Sequence, residues 1–160
     1  PLSCMIRFQF AEQPDLPPFE LLWYDGGIKP FVPDELRSTG KSLPREGMMI
    51  VGDKGKIVAG FRGEDPVLLP ESKMEHIVKN YNSEDEGGAG DNVWIDAFRN
   101  GSQAPGSFLL AGPVTETINL GAIALRAKQR VEYDSANMKI TNLPDANQYL
   151  TREYRQGWEL

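Results

Sequence analysis

Residues 113–128, P-V-T-E-T-I-N-L-G-A-I-A-L-R-A-K, carry apolar side chains in two stripes at helical spacing. The stripes consist of Val114, Ile118, Ala122 and Leu125, and of Leu120, Ile123 and Ala127. Because apolar residues surround much of the circumference, we expect a largely buried helix. Pro113 suits its first turn, where a backbone N–H is not needed. Gly121, with Ala122 and Ala124, would let this helix lie close against a sheet.

The start of the chain shows the period of β-strands instead. Residues 4–10 read C-M-I-R-F-Q-F and place Ile6, Phe8 and Phe10 on one side. This alternation of apolar and polar residues predicts a strand with one buried face. After a proline-rich turn, residues 19–24 read F-E-L-L-W-Y and predict the hairpin partner of that strand.

A second hairpin is predicted further along the chain. Residues 48–51 and 56–59 flank G-D-K-G at 52–55, which indicates a short hairpin loop. Residues 67–69 predict one more short strand. Between the hairpins, residues 29–47 hold three prolines and little periodicity, and they predict a long surface loop of a kind that often carries function.

Two further helices are expected in the second half. Asp91 can cap a helix over residues 92–100, and Gly101 can end it. Asn142 can cap a last helix over residues 144–154.

The order of the elements indicates the fold class. Short strands are also expected at residues 131–134 and 138–141, and Trp158 is expected to pack back on the body. Strands early and helices late favour an α+β fold, in which helices pack on one face of an open, mostly antiparallel sheet. We expect residues 1–160 to form one such domain.

Composition argues against several classes of partner. The 160 residues include 17 basic and 23 acidic side chains and carry a net charge of −6, without a basic run, so nucleic acid is not an expected partner. The sequence contains no uninterrupted apolar stretch of about 18 residues, so we expect no membrane span. One cysteine, Cys4, and one histidine, His76, cannot build a structural zinc site. The acidic residues 84–86 predict a solvated loop.

Motifs with catalytic or nucleotide-binding chemistry are incomplete. Residues 38–42, S-T-G-K-S, end like a phosphate-binding loop, but Glu35 stands where that motif needs glycine. No G-x-G-x-x-G follows a strand, and the glycines of residues 87–90 lack a preceding apolar strand, so we expect this chain to bind no NAD(P) by itself. His76 has no partner for nucleophilic hydrolysis, although a role as a general base stays open beside a surface or packing role. The sequon at residues 100–102 coincides with a helix end.

Residues 92–160 carry a family resemblance. They contain, in order, W-I-D-A-F-R-N-G at 94–101, A-G-P-V-T-E at 111–116, L-G-A-I-A-L-R at 120–126, V-E-Y-D at 131–134 and Y-R-Q-G-W at 154–158. This order is similar to the C-terminal α/β domain of the Gfo/Idh/MocA oxidoreductases. W-Y-D-G-G at residues 23–27 and the hairpin at 47–60 also resemble that family.

The resemblance implies a division of labour between two domains. Members of the family join an NAD(P)-binding Rossmann domain to a sheet domain that shapes the substrate pocket and builds the oligomer, like the C-terminal domain of glyceraldehyde-3-phosphate dehydrogenase. This chain would be the second domain, acting on a sugar or polyol in the parent protein and inactive alone. The family's catalytic Lys and its D-x-x-x-H segment would lie upstream. Residues 90–91 are Gly-Asp where many relatives have Gly-His, so a histidine role there is not implied.

The resemblance also suggests a wall of the substrate pocket. Trp23, Tyr24, Asp25 and Lys29 are the candidate substrate-binding residues, because a sheet edge that runs into a proline-rich loop suits a sugar site. The alternative is a hairpin end with an aromatic ring packed inward.

Two alternative functions stay open at this point. One is a non-catalytic association module, a homo-oligomer formed through the sheet. The other is part of an NAD-dependent glycosidase of the same family. A cytoplasmic and a periplasmic location both remain possible.

Overall fold

The computed structural model describes residues 1–73, 92–104 and 106–158. The predictions for His76, for the acidic loop at residues 84–86 and for the Asp91 cap therefore lie outside the described residues. The described elements combine strands and helices, which confirms the α+β class. The strands belong to three small sheets, of two, three and two strands, and not to the single open sheet expected from the sequence.

The chain forms two compact units. The first consists of Pro1–Met5 and Leu22–Gly88, and the second of Ile6–Leu21 and Ala89–Leu160. The first hairpin contributes residues to both: β1 spans Cys4–Phe10 and β2 spans Phe19–Asp25. β1 matches its predicted position, and β2 begins where it was predicted and ends one residue later. The expectation of one domain over residues 1–160 stays a prediction.

The first unit is built on a three-stranded antiparallel sheet. Its strands are β3 (Met48–Gly52), β4 (Gly55–Ala59) and β5 (Val67–Leu69), with β4 in the middle. The predicted second hairpin is confirmed, and its strands extend one residue further into the turn on each side. A 3₁₀ turn, Glu71–Lys73, follows β5.

The loop predicted at residues 29–47 contains a short helix, α1 (Asp34–Arg37). Leu36 in this helix is buried with Val58 and Leu69, and partly buried apolar residues pack around them: Val32, Leu43, Met49 and Val67. The prediction of a long surface loop therefore missed this helix and its buried leucine. One inward-facing leucine orders a four-residue helix that is too short to show a periodic pattern in the sequence.

The second unit contains two helices, α2 (Asn92–Asn100) and α3 (Phe108–Ala127). Gly101 follows α2 with φ of 65°, as expected for a helix end. The predicted start of α3 at Pro113 was wrong, because the helix begins five residues earlier and Pro113 lies inside it. The backbone N–H groups of Leu110 and Ala111 both donate to the carbonyl oxygen of Ser107, and these bonds form the turn before the proline.

Only one of the two stripes of α3 is buried, so the expectation of a largely buried helix was wrong. Ile123 is buried together with Ile140 and Ala146, and Leu120 packs against them. Val114 and Ile118 on the other stripe are 62% and 59% exposed. By length and composition α3 could cross a membrane, and 11% of the segment is buried. The sequence-based expectation of no membrane span missed this helix, because polar residues interrupt its apolar residues.

Two minimal strands and a 3₁₀ helix close the second unit. The strands β6 (Tyr133–Asp134) and β7 (Lys139–Ile140) pair antiparallel. The 3₁₀ helix Pro144–Tyr149 replaces the α-helix predicted to residue 154. Asn142 does not cap it: its side chain accepts from Glu132 N at 2.8 Å and donates to Arg130 O at 2.9 Å.

Trp158 does not pack back on the body. Its side chain is 63% exposed and lies under the guanidinium of Arg155, 4.2 Å from the ring centroid. This local cation–π contact takes the place of the expected tertiary contact.

Candidate functional site

The four predicted substrate-binding residues lie at the end of β2 and just beyond it. Trp23 and Asp25 are two residues apart in a strand, so their side chains point to the same side, and Tyr24 points to the other. Trp23 is 47% exposed, and Tyr24 is half-buried. The indole of Trp23 and the carboxylate of Asp25 thus lie on one side of β2, and Tyr24 lies on the other.

Asp25 shapes the turn that follows the strand. Its Oδ1 accepts a hydrogen bond of 2.6 Å from the Gly26 N–H, and its carbonyl oxygen accepts from the Ile28 N–H at 3.4 Å. Gly26 has φ of 67°, and a Cβ there would come within 2.4 Å of Ser3 Cα. Glycine is therefore required at this position. The other carboxylate oxygen of Asp25, Oδ2, has no hydrogen-bond partner among the described residues.

Lys29 holds the proline-rich segment. Its Nζ donates to the carbonyl oxygen of Pro44 at 2.9 Å and, more weakly, to that of Leu43 at 3.4 Å. An ammonium group has three donors, so one N–H remains for a ligand. This geometry favours a positioning role for Lys29, because its charge already serves to tie residue 29 to the far end of the segment.

An open depression of about 400 Å³ lies in the same unit, lined by Phe31, Val32, Arg37, Gly40 and Lys41. None of the four predicted residues lines it. Its two cations are already paired: Arg37 with Asp34 at 2.6 Å, and Lys41 with Glu71. These pairs neutralise the depression, so it has little attraction for an anion.

A second charged pair links α1 to the sheet. Lys56 Nζ donates to Glu35 Oε1 at 2.5 Å, and both side chains are 28% exposed. The hydrogen bond from Lys56 holds the pKa of the Glu35 carboxyl below its ordinary value. Glu35 Oε2 is buried without a partner among the described residues. This pair links α1 to β4. Glu35, which stands where a phosphate-binding loop would need glycine, therefore has a structural role.

In the second unit, Tyr133 donates a 2.5 Å hydrogen bond to Glu116 Oε1 on α3. Burial and this bond to a carboxylate raise the pKa of the Tyr133 phenol to about 12. A phenol with such a pKa is a poor acid near neutrality. The pair therefore secures α3 to β6 and is not a proton donor for chemistry.

The Tyr133 pair predicts loss of stability in strong alkali. The folded pKa of about 12 lies above the ordinary value of 10, so the stabilisation is complete below pH 10 and is lost as the pH rises through the folded pKa. We expect ultraviolet difference titration against Tyr133→Phe to show one phenol ionising near pH 12. Ionisation of that phenol at an ordinary pH, or no difference between the two proteins in alkaline unfolding, would contradict the assignment.

The side-chain contacts that hold both units were not visible in the sequence. Asn147 accepts from the Ile140 N–H at 2.9 Å and donates to the Ile140 carbonyl oxygen at 2.9 Å, which completes the edge of β7. The only sequence signal was an asparagine placed shortly after a short strand.

Among the described residues, no three Asp, Glu, His or Cys side chains come together as a metal site would require.

The described residues do not contain the glycine pattern of a dinucleotide site. Gly26 and Gly27 follow β2 but lead into the proline-rich segment, and Gly52 and Gly55 join two strands and no helix. A pyrophosphate is normally held at a helix N-terminus after such glycines. The expectation that this chain binds no NAD(P) stays a prediction.

Comparison of the chain with protein-family models, with curated proteins and with solved structures finds no match. The resemblance of residues 92–160 to the Gfo/Idh/MocA oxidoreductases therefore remains an interpretation of the sequence.

Proposed function

We propose that this chain is the substrate-binding and oligomerisation domain of an NAD(P)-dependent oxidoreductase that acts on a sugar or polyol. The observation that carries the proposal is the pairing of Trp23 with Asp25 on one side of β2. An exposed indole offers an apolar face to the C–H groups of a sugar ring, and a free carboxylate oxygen accepts hydrogen bonds from its hydroxyls. NAD or NADP and the proton-transferring Lys belong to another domain of the parent protein in this proposal, and the fold would be that of the Gfo/Idh/MocA C-terminal domain.

Lys29 supports the same proposal indirectly. Its two hydrogen bonds to the segment around Pro44 hold the chain after the Gly26 turn, so the carboxylate of Asp25 keeps its position beside the ring of Trp23. Tyr24 faces the other side and is half-buried there. In this arrangement Trp23 and Asp25 touch the substrate, whereas Tyr24 and Lys29 position them.

The proposal predicts a selective loss of substrate affinity in the parent oxidoreductase. Because a hydrogen bond to a charged group contributes about 1.5–3 kcal/mol, we expect Asp25→Asn to raise KM for the sugar about 10–100-fold. Trp23→Ala should act in the same direction. The measurement is steady-state reduction of NAD(P), with saturation curves for each variant.

The matched control is Asp53→Asn, which makes the same change in an exposed hairpin turn of the same unit. We expect it to leave KM and kcat unchanged. Unchanged kinetics in both Asp25→Asn and Trp23→Ala would refute the pocket assignment. Cleavage of aryl glycosides without net NAD(P) reduction would instead favour the NAD-dependent glycosidase.

A second candidate function, a non-catalytic association module, is favoured by the edge strand β3. Met48 and Ile50 are 43% and 57% exposed on a strand that, among the described residues, has a hydrogen-bonded neighbour on one side only. An exposed apolar edge strand is a template for pairing with another chain. In this reading the homo-oligomer forms through the sheet and the isolated domain has no chemistry.

A further inference from the structure

Asp25 and Gly26 form the only Asp-Gly pair in the sequence. The pair lies where β2 ends and the following turn begins, and both residues are exposed. Water therefore reaches the carboxyl group of Asp25 and the peptide bond that follows it. Because neither group is enclosed by the core of the first unit, a reaction between them does not require that core to open.

The carboxylate of Asp25 is folded back on its own peptide bond, since the Gly26 N–H donates to Asp25 Oδ1 at 2.6 Å. Oδ1 is bonded directly to Cγ, so the Gly26 nitrogen also lies near Cγ, at about the 3–3.5 Å from which neighbouring atoms can react. An Asp in a turn more often accepts from the N–H two residues later. Asp134 shows that pattern, because its Oδ1 accepts from the N–H groups of Ala136 and Asn137 at 3.0 and 3.2 Å.

The turn offers little resistance to ring closure between these two groups. Closure requires the peptide group between Asp25 and Gly26 to rotate, and glycine accepts the new backbone angles because both signs of φ are open to it. The carbonyl oxygen of this peptide group accepts from the Ile28 N–H at 3.4 Å, which is longer than a usual hydrogen bond. Gly26 also has no side chain to shield its nitrogen.

We propose that Asp25 and Gly26 form a site of spontaneous isoaspartate formation. The Gly26 nitrogen attacks Cγ of the neutral carboxyl group, the N–Cγ bond forms, and the carboxyl hydroxyl leaves with the N–H proton as water. Water then opens the resulting succinimide ring. Attack at the main-chain carbonyl carbon breaks its bond to the Gly26 nitrogen and leaves isoaspartate, whereas attack at Cγ restores aspartate. The reaction needs no oxidant, reductant or enzyme.

The product alters the candidate sugar site. In isoaspartate the main chain runs through Cβ and Cγ of residue 25, and the free carboxylate is attached directly to Cα. The carboxylate therefore loses its place on the side of β2 that carries Trp23. This consequence rests on the proposed function, but the modification itself does not. In the parent oxidoreductase we expect KM for the sugar to rise in proportion to the modified fraction.

The test is peptide mapping of the folded chain during prolonged incubation in a warm, mildly acidic buffer. Electron-transfer fragmentation distinguishes isoaspartate from aspartate, and the succinimide is lighter than either by one water. We expect isoaspartate to form at residue 25 at least about tenfold faster than at Asp134, because only Asp25 holds its carboxyl group against the next nitrogen. This comparison uses one sample and needs no substitution.

The matched control is Lys54→Gly, which gives the exposed Asp53 in the β3–β4 turn a following glycine. The structure shows no hydrogen bond from the N–H of residue 54 to the Asp53 carboxylate. We therefore expect Asp53 in this variant to be modified at least about tenfold more slowly than Asp25. Circular dichroism checks that the variant is folded. Asn100, which precedes Gly101, can reach the same product by loss of ammonia, and the peptide map resolves it from residue 25.

The outcomes separate geometry from sequence. Fast modification at residue 25, with slow modification at Asp134 and at Asp53 of Lys54→Gly, supports the proposal. Absence of isoaspartate at residue 25, or equal rates at residues 25 and 53 in the variant, would overturn it. Modification of residue 25 with an unchanged KM in the parent oxidoreductase would support the isoaspartate site and refute the sugar site, so the two proposals can fail independently.

Discussion

Ile140→Ala is expected to lower the free energy of unfolding of the second unit by about 2–5 kcal/mol. The Ile140 side chain is 0% exposed and packs with Ile123 and Ala146 in the core of that unit. Truncation removes apolar contacts and leaves a cavity. The backbone of β7 is hydrogen-bonded to Asn147 and cannot easily move to close it. Urea unfolding followed by circular dichroism measures the effect as a lower midpoint with an unchanged slope.

The size of this effect depends on how Ile140 is held. The side chain of Asn147 accepts from its N–H and donates to its carbonyl oxygen, so the backbone of β7 cannot move inward to fill the space. The matched control is Met138→Ala, which truncates a side chain that is 68% exposed two residues earlier. It should change stability by less than about 0.5 kcal/mol. Equal effects of the two substitutions would show that Ile140 is not a core residue in solution.

Local patterns in the sequence predicted the strands well. The alternation in residues 4–10 led to β1, the apolar and aromatic run at 19–24 led to β2 one residue short of its end, and the glycines at 52 and 55 led to the β3–β4 hairpin. In each case the signal lies within the element itself, as a period of two or as residues that favour a turn. Such signals do not depend on the rest of the chain.

The errors concern contacts between distant residues. Periodicity correctly placed Val114 and Ile118 on one face of α3, but it carries no information on whether a partner covers that face. Asn142 was expected to cap the next helix and instead bridges back to Arg130 and Glu132, ten or more residues away. Polar side chains of this kind satisfy whichever backbone groups the tertiary fold brings near.

In the candidate site, too, local features were predicted from the sequence and contacts between distant residues were not. The sequence identified Trp23 and Asp25 as neighbours at a strand end, and their common side follows from strand geometry alone. It did not show that Lys29 is bonded to the carbonyl oxygens of Leu43 and Pro44, because that contact closes a loop of about 15 residues. The structure thereby separates residues that can touch a ligand from one that holds the segment in place.

Gly121→Val is expected to destabilise the second unit by about 1–3 kcal/mol. The prediction that this glycine allows close approach to a sheet is confirmed by its contact with β1. An added Cβ would lie 2.7 Å from Phe8 Cζ and 3.2 Å from Ile6 Cδ1, and the two further methyl groups of valine enlarge the overlap. The helix must then lift away from β1 or Phe8 must leave its position.

Gly112→Val separates this steric effect from helix propensity. Gly112 lies in the same helix, and a Cβ there would meet nothing within 4 Å. Valine is a better helix former than glycine, but Gly112 precedes Pro113, whose ring crowds a β-branched residue in helical conformation, so this control should change stability by less than about 1 kcal/mol. Gly121→Val is therefore expected to lose more stability than Gly112→Val in urea unfolding, because only at Gly121 does the added side chain meet Phe8. If Gly121→Val gained stability, α3 could not lie on β1 through Gly121.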